Sequence, residues 1–324
     1  MSTGIEWTDA TWSPVVGCSR VSPGCEHCYA AAMDKRLRGG AGEEWRPWTA
    51  ANAEYNVRLH PERLDAPLRW RKPRRVFVKS DLFHEAVPDG FIVRVLMTML
   101  RTPQHQYQIL TKRPSRMRDF FTRWADLSGE AWEPKLVRGP AATRETHPSG
   151  RGQLFAAYLE SLASAEPRGE PPPGAAWPTF DWMEGPRWWP TSPPWNVWLG
   201  VSVEDQRRAD ERIPVLLETP AAVRFISAEP LLEEVDISLW TTPNNLIQRP
   251  GLDWVIVGGE SGPGARPCDL DWIRALVDQC RDASVPVFVK QLGAKPWPTI
   301  RLRDRKGGDP AEWPEDLRVR EWPR

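Results

Sequence analysis

Six short apolar segments, each followed by polar or glycine-rich residues, constrain the fold of this 324-residue chain more than any other feature. They have the length of strands and are rich in β-branched and aromatic residues, as expected for strands buried on both faces. The segments are 75–79, 107–111, 196–202, 223–227, 254–257 and 287–290. Such a series predicts a sheet of buried strands.

Helical stretches lie between the strands, at 91–100, 204–218 and 269–281. Pro214 predicts a kink or boundary in the second, and Asp269 is a candidate N-cap of the third. Alternation of strands and helices predicts a parallel sheet with right-handed crossovers. The fold class is therefore α/β, and six to seven units suit a full or partial (β/α) TIM-type barrel better than an open sheet. The carboxyl ends of the strands would form its active face.

One stretch breaks this alternation and divides the chain. We predict an N-terminal part of the barrel at 1–122, an insertion at 123–195, a C-terminal part at 196–300 and a charged, loosely held tail at 301–324. The insertion is rich in proline and tryptophan, with a short helix predicted near 154–163. A lid over the active face and a surface excursion without function are its two alternatives.

Composition excludes several classes of protein. Lys plus Arg and Asp plus Glu both number 43, so no global field points to nucleic acid. No apolar run approaches the length of a membrane span, and the N-terminus carries no signal-peptide pattern. Five cysteines are too few for a secreted disulfide scaffold of this length. We therefore expect a cytoplasmic protein that does not contact a membrane.

Three of those cysteines, Cys18, Cys25 and Cys28, lie within eleven residues. An odd number of clustered thiols suggests a metal centre with one open coordination position, and three thiolates can hold three irons of a [4Fe–4S] cluster. Zinc is the alternative, with His27 or Cys268 as a fourth ligand. It would make the chain a zinc-stabilised nucleic-acid-binding or adaptor protein without catalysis. Three buried thiols without a metal are the remaining alternative.

Polar residues just after the strands are candidates for binding a cofactor. They are Ser80, Asp81, Lys112, Arg113, Ser202, Glu204, Glu229, Gly258, Gly259, Glu260 and Lys290. Lys112 and Arg113 could hold a phosphate or a carboxylate, or begin a solvated helix. Glu204 and Glu229 could bind ribose hydroxyls or an amine, or act as helix N-terminal carboxylates.

Two further residues are candidates for catalysis. His84 could transfer protons, with a hydrogen-bonded structural role as its alternative. Cys268, just before the helical stretch at 269–281, could act as a hydrogen donor.

Several segments resemble one known family. They are 11–30, 80–85, 108–114, 198–204, 227–231, 257–262 and 289–291. Together they resemble a phage and prophage protein family with a three-cysteine motif, which is itself similar to the radical S-adenosylmethionine (SAM) superfamily. The resemblance covers nearly the whole chain except the insertion and the tail.

The resemblance implies a specific chemistry. Cys18, Cys25 and Cys28 would ligate a [4Fe–4S] cluster whose open iron chelates SAM, and His27 would pack near the adenine. Reductive cleavage of SAM would release a 5′-deoxyadenosyl radical that abstracts hydrogen from an unknown substrate, with nucleic acid or a nucleotide as a candidate. A reductant protein such as flavodoxin or ferredoxin would supply the electron.

The chain departs from the superfamily pattern in two places. Its cysteines are spaced C-x6-C-x2-C, whereas C-x3-C-x2-C is usual. Its Gly258-Gly259-Glu260 tract follows a late strand and not the second, so the usual contact with the methionyl amine cannot be assigned to it. The tract stays a candidate because bare glycine backbone allows a ligand to approach closely.

Overall fold

The computed structural model of the protein describes residues 3–130, 195–241 and 251–323, and for 123–130 it describes the backbone alone. The helix predicted near 154–163 and the lid predicted for the insertion lie outside these residues. Residues 123–130, which we predicted to open the insertion, continue a helix that begins at Pro114.

Eleven strands lie in the described part of the chain. They are β1 (Ala10–Trp12), β2 (Val15–Val16), β3 (Arg58–Leu59), β4 (Arg75–Val78), β5 (Gln106–Thr111), β6 (Val197–Ser202), β7 (Val223–Ala228), β8 (Trp254–Gly258), β9 (Cys268–Asp269), β10 (Val287–Gln291) and β11 (Pro296–Trp297). Seven of them form one sheet in the order β1-β4-β5-β6-β7-β8-β10, and every pair in it is parallel. All six predicted strands belong to this sheet, and β1 is a seventh that the sequence did not predict.

The same residues contain seven α-helices: α1 (Tyr29–Gly40), α2 (Ala53–Asn56), α3 (Asp89–Leu100), α4 (Pro114–Glu130), α5 (Gln206–Glu218), α6 (Ser238–Thr241) and α7 (Leu270–Asp282). Two of them have an aspartate N-cap whose side chain accepts a backbone N–H of the first turn. Asp205 caps α5 and accepts from Arg208. Asp269, the predicted N-cap, caps α7 and accepts from Asp271. Pro214 lies inside α5, so the helix continues through it.

The sheet curls into a half-barrel. Trp7, just before β1, packs edge-on against Trp254 of β8 with ring centroids 6.1 Å apart. In a flat sheet five strand steps would separate such residues by about 24 Å. The concave face is filled at this level by aromatic side chains from the segment before β1 and from five strands of the sheet, namely Trp7, Phe77, Trp198, Phe225, Trp254 and Phe288. This result agrees with the partial-barrel form of the prediction.

Apolar side chains on the convex face pack against the helices. Val76, Ile109, Leu199, Ile226 and Val255 alternate along their strands with the inward-pointing residues and join one core with the buried faces of α3, α5 and α7. The period of two along each strand thus separates the helix-packing layer from the interior. Among the described residues, no helix is both long and apolar enough to cross a bilayer.

The tail packs along the sheet, contrary to the prediction that it is loosely held. Val289 donates its N–H to Val319 at 2.8 Å, and Glu321 donates its N–H to Val287 at 3.0 Å. The ring of Trp322 packs on Phe288 with centroids 4.9 Å apart. The tail therefore satisfies the free edge of β10, and its tryptophan supplies apolar surface that the charged composition obscures.

Candidate functional site

The cysteine loop, residues 17–28, connects the β2 strand to α1 and lies over the carboxyl ends of the sheet strands. Its start is fixed by Gly17, whose φ of +89° favours glycine and whose position leaves no room for a Cβ against the Asn56 carbonyl. A backbone hydrogen bond of 3.0 Å from Arg20 to Trp48 continues the anchoring. The base of the loop is therefore held by Trp48 and Asn56, which lie between α1 and β3.

Residues that follow three different strands of the sheet hold the rest of the loop. After β5, the Arg113 Nη2 donates to the Ser19 carbonyl at 3.3 Å. After β6, the Glu204 carboxylate accepts the Gly24 N–H at 3.4 Å. After β8, the Arg266 Nη2 donates to the carbonyl of Pro23 at 3.1 Å. These contacts place the loop at the active face expected of a (β/α) barrel.

Cys18 is the cysteine most closely surrounded by charge. Its Sγ lies 3.6 Å from the Nη1 of Arg113. Burial and the Asp81 carboxylate raise the pKa of the Cys18 thiol to about 12, and the Arg113 guanidinium opposes them. Without a bound cation, this sulfur is therefore a thiol at neutral pH.

Cys25 and Cys28 occupy more open positions. Cys25 ends a short 3-10 turn, where its Sγ lies 3.8 Å from the Ser22 hydroxyl, and Cys28 is the N-cap of α1. All three cysteines of the loop are partly exposed free thiols. We call the carboxyl ends of the sheet strands and the residues that follow them (80–81, 112–113, 202–204, 229 and 290) the mouth of the half-barrel. A ligand entering the mouth can therefore reach the three thiols.

The free thiols of the loop are the donors that either predicted metal would use. Within the described residues, no group of three or more His, Cys, Asp or Glu side chains is placed to hold one metal ion. Three cysteines of a [4Fe–4S] cluster each ligate a different iron and share no single ion. In number and type, the free thiols of the loop fit a cluster.

Glu204 is a fully buried carboxylate at the centre of the mouth. Arg212 Nη1 donates to its Oε2 at 2.9 Å, and Lys112 Nζ lies 3.7 Å from the same oxygen. Burial alone would raise the pKa of Glu204, but the two cations outweigh it and hold the pKa below its usual value. Glu204 is therefore an anion that joins the sheet to the cysteine loop.

A second ion pair lies between the ends of β7 and β10. Lys290 Nζ donates to both oxygens of Glu229, at 2.6 and 2.8 Å, and Gln291 donates to the same carboxylate at 3.1 Å. Both charged side chains are half-buried, with 17% exposed. Ser202 and Ser227 lie opposite each other in register on β6 and β7. The predicted residues Ser202, Glu229 and Lys290 therefore belong to the same mouth.

The two glycines of the Gly258-Gly259-Glu260 tract are required by packing. A Cβ on Gly258 would meet the Gln291 carbonyl at 2.9 Å, and one on Gly259 would overlap the carbonyl of Leu292. Glu260 accepts from Arg266 at 2.7 Å. Burial raises the pKa of Glu260, but Arg266 outweighs it and lowers the pKa overall. Close approach of β10 therefore explains the glycines without a ligand.

Asp81 anchors the polar network after β4. It accepts from the Thr111 hydroxyl at 2.6 Å, from the Lys112 N–H at 3.2 Å and from Arg113 at 2.9 Å. The residue before it, Ser80, has a φ of 66°, so the chain turns sharply as β4 ends. Asp81 is committed to the protein and orients the residues that follow β5.

His84 is buried and braces the cysteine loop. Its Nδ1 accepts the Ala86 N–H at 3.0 Å, so its Nε2 carries the proton donated to the Ser19 hydroxyl at 2.8 Å. Burial, followed by Arg113, lowers the pKa of His84. The imidazole is therefore neutral at pH 7 and engaged on both nitrogens, as in the structural alternative.

The last two predicted residues border the mouth. Cys268, on β9, is 1% exposed, and burial raises the pKa of its thiol to about 12. The ring of His27 lies beside Gly264. A Cβ added to Gly264 would lie 3.3 Å from the Nδ1 of His27. Sequence reasoning missed Ser19, Arg212 and Arg266, which carry no motif and are brought to the site by the folded chain alone.

The fold and the site define an α/β half-barrel protein with a three-cysteine loop clamped over the carboxyl ends of its strands. The family model described as protein of unknown function (DUF5131) matches residues 2–312. The chain therefore belongs to this family. Comparison with curated proteins found no match, and comparison with solved structures found none either.

Proposed function

We propose that the protein is a radical SAM-type enzyme in which Cys18, Cys25 and Cys28 hold a [4Fe–4S] cluster. The observation that carries this proposal is the position of the cysteine loop, across the strand ends where the charged residues of the half-barrel gather. When bound and reduced, such a cluster supplies the electron that cleaves SAM to a 5′-deoxyadenosyl radical, which takes hydrogen from a substrate.

The residues of the mouth support this proposal by their charges. Lys290 can donate to a carboxylate and Glu229 can accept from an ammonium group, so the pair is complementary to the amino-acid part of SAM. The aromatic layer below them, which includes Trp198, Phe225 and Trp254, fills the interior of the half-barrel. Ligands therefore enter from the side of the cysteine loop, and the filled interior excludes water from beneath the site.

Two parts of the proposal come from the resemblance alone. They are nucleic acid or a nucleotide as the substrate class, and a reductant protein such as flavodoxin or ferredoxin. A cytoplasmic location is proposed from the small number of cysteines. Neutral net charge gives the substrate class no independent support.

Anaerobic purification and reconstitution test the metal. We expect brown protein with about four irons per chain, and 5′-deoxyadenosine after addition of SAM and dithionite. Replacing Cys18, Cys25 or Cys28 with Ala should remove the iron. Cys280→Ala is the matched control, because this buried thiol lies on the apolar face of α7. Colourless protein with stoichiometric zinc would reject the proposal.

The alternative is the zinc-stabilised nucleic-acid-binding or adaptor protein. No described group of ligands favours it. It requires nucleic-acid binding that weakens steeply with salt, and no affinity for SAM. Calorimetric titration of SAM into the reconstituted protein distinguishes the two functions.

A further inference from the structure

Arg113 is a buried cation beside the cysteine loop. Its side chain is only 5% exposed, and each of its three nitrogens has a protein partner. Nε donates to Glu85 at 2.7 Å, and Nη2 donates to the Ser19 hydroxyl at 2.9 Å. Nη1 is shared between Asp81 at 2.9 Å and the Cys18 sulfur at 3.6 Å. This guanidinium is therefore held in place by the protein itself.

The arrangement singles out one of the three cysteines. Across the described part of the chain, no Arg or Lys nitrogen hydrogen-bonds to Cys25 or Cys28, and the Ser22 hydroxyl is the partner found for Cys25. Arg113 reaches Cys18 from the end of β5, and Ser19 ties the next residue to the same guanidinium. Cys18 is thus the cysteine whose sulfur contacts a cation that follows a strand of the sheet.

We propose that Arg113 is a positioning residue that donates an N–H to the Cys18 sulfur in the iron-loaded protein and raises the reduction potential of the cluster. The inference rests on the proposed function. Hydrogen bonds to cluster sulfurs are among the factors that set the potential, since they stabilise the more negative, reduced state. The fixed positive charge acts in the same direction, and its burial limits screening by solvent.

Neighbouring carboxylates offset the charge of Arg113 but not its hydrogen bond to sulfur. Glu85 is 66% exposed, so water screens its charge. Asp81 is buried, and its charge opposes that of Arg113 at Cys18, although the Thr111 hydroxyl and the Lys112 N–H also donate to it. The N–H directed at sulfur remains a specific contact that no other described cation replaces.

An EPR-monitored redox titration of protein reconstituted with iron and sulfide tests the inference, with dithionite as the one-electron reductant. Arg113→Gln should lower the midpoint potential. At the wild-type midpoint its ratio of reduced to oxidised cluster should fall about tenfold, which corresponds to about 59 mV for a one-electron couple. Arg118→Gln is the matched control, because Arg118 lies on α4, the helix that follows Arg113, and pairs only with Asp119 and Glu218 in the described contacts.

Two further measurements cover a variant that does not fold or does not retain iron. Arg113→Lys keeps the charge and loses the fork, so its midpoint should fall by less than that of Arg113→Gln. In the wild-type protein, arginine labelled with ¹⁵N should give a nitrogen coupling to the reduced cluster in pulsed EPR. An unchanged midpoint in an iron-replete Arg113 variant, or no ¹⁵N coupling in the wild type, would overturn the inference. Wild-type protein that takes up no iron would instead reject the proposed function.

Discussion

The buried pair of Glu204 and Arg212 couples the sheet to the cysteine loop, and removing one partner makes that coupling measurable. Arg212 donates to the Ser202 carbonyl at 2.7 Å and to Glu204 at 2.9 Å. The other oxygen of Glu204 accepts the Gly24 N–H. Arg212→Met keeps much of the side-chain volume and removes the charge. It leaves a fully buried carboxylate beside the loop.

The expected loss of stability follows from the burial. Removing one member of a buried pair destabilises a protein by about 3–5 kcal/mol, because the other charge stays uncompensated. Lys112, with its Nζ 3.7 Å from Glu204, still compensates part of the charge. We therefore expect Arg212→Met to lower the free energy of unfolding by about 3 kcal/mol, near the lower end of that range. Adding Glu204→Gln should restore about 2 kcal/mol, because the buried charge is then gone.

Urea unfolding of the reduced, metal-free protein measures these changes. The control is Arg207→Met on the same helix, where the pair with Glu211 is exposed, at 73% for the arginine. This control should change stability by less than about 0.5 kcal/mol. A loss below about 1 kcal/mol for Arg212→Met, or no recovery in the double variant, would refute the reasoning.

The change of folding stability with pH tests the same ion pair. The folded pKa of Glu204 lies below its usual value, so the unfolded state binds the proton more readily. The stabilisation is fully present above the unfolded pKa of about 4.3 and is lost as pH falls through the lower folded pKa. The stability advantage of the wild type over Glu204→Gln should therefore shrink in acid. An advantage that grows below that pH would contradict the assigned ion pair.

Three further predictions concern the base of the cysteine loop, the aromatic layer inside the half-barrel and the mouth. Gly17→Ala should destabilise by more than about 2 kcal/mol in urea unfolding, since it adds a backbone overlap to the strain of positive φ; Gly42→Ala, with positive φ and open space, should lose only about 1 kcal/mol. Trp322→Ala should lower the free energy of unfolding by about 2 kcal/mol, because its half-buried ring packs on Phe288 of the aromatic layer. Lys290→Met should weaken SAM binding at least about tenfold by calorimetry without loss of iron, because it leaves Glu229 to face the carboxylate alone; unchanged binding would remove this pair from the site.

Much of the sheet could be predicted from the sequence because strands buried on both faces are short apolar runs, rich in β-branched and aromatic residues. Each of the six predicted segments overlaps a strand of the sheet to within about a residue. The strand β1 was missed because it has only three residues, of which Thr11 is polar. Its place at the edge of the sheet comes from pairing with β4, which no local pattern reveals.

The position of the tail could not be read from its sequence for a similar reason. Charged residues dominate 301–323, yet Trp313 is 2% exposed and Leu317 is fully buried. These two side chains are four residues apart, but Pro314 between them interrupts the helical period that this spacing would otherwise suggest. Both side chains join the core between the sheet and the helices, which exists only after the sheet has formed and α7 has packed on it.

The unusual spacing of the cysteines and the clamps on the loop have one explanation. Six residues separate Cys18 from Cys25, and four of them carry the anchoring contacts: Ser19 to Arg113, Arg20 to Trp48, Pro23 to Arg266 and Gly24 to Glu204. A loop of three intervening residues would lack backbone to reach the ends of β5, β6 and β8 together. The extra length therefore lets the sheet fix the first cysteine relative to the other two. In the enzyme that we propose, this spacing would serve the same end as the usual radical SAM pattern, because three thiolates need a rigid frame to hold a cluster.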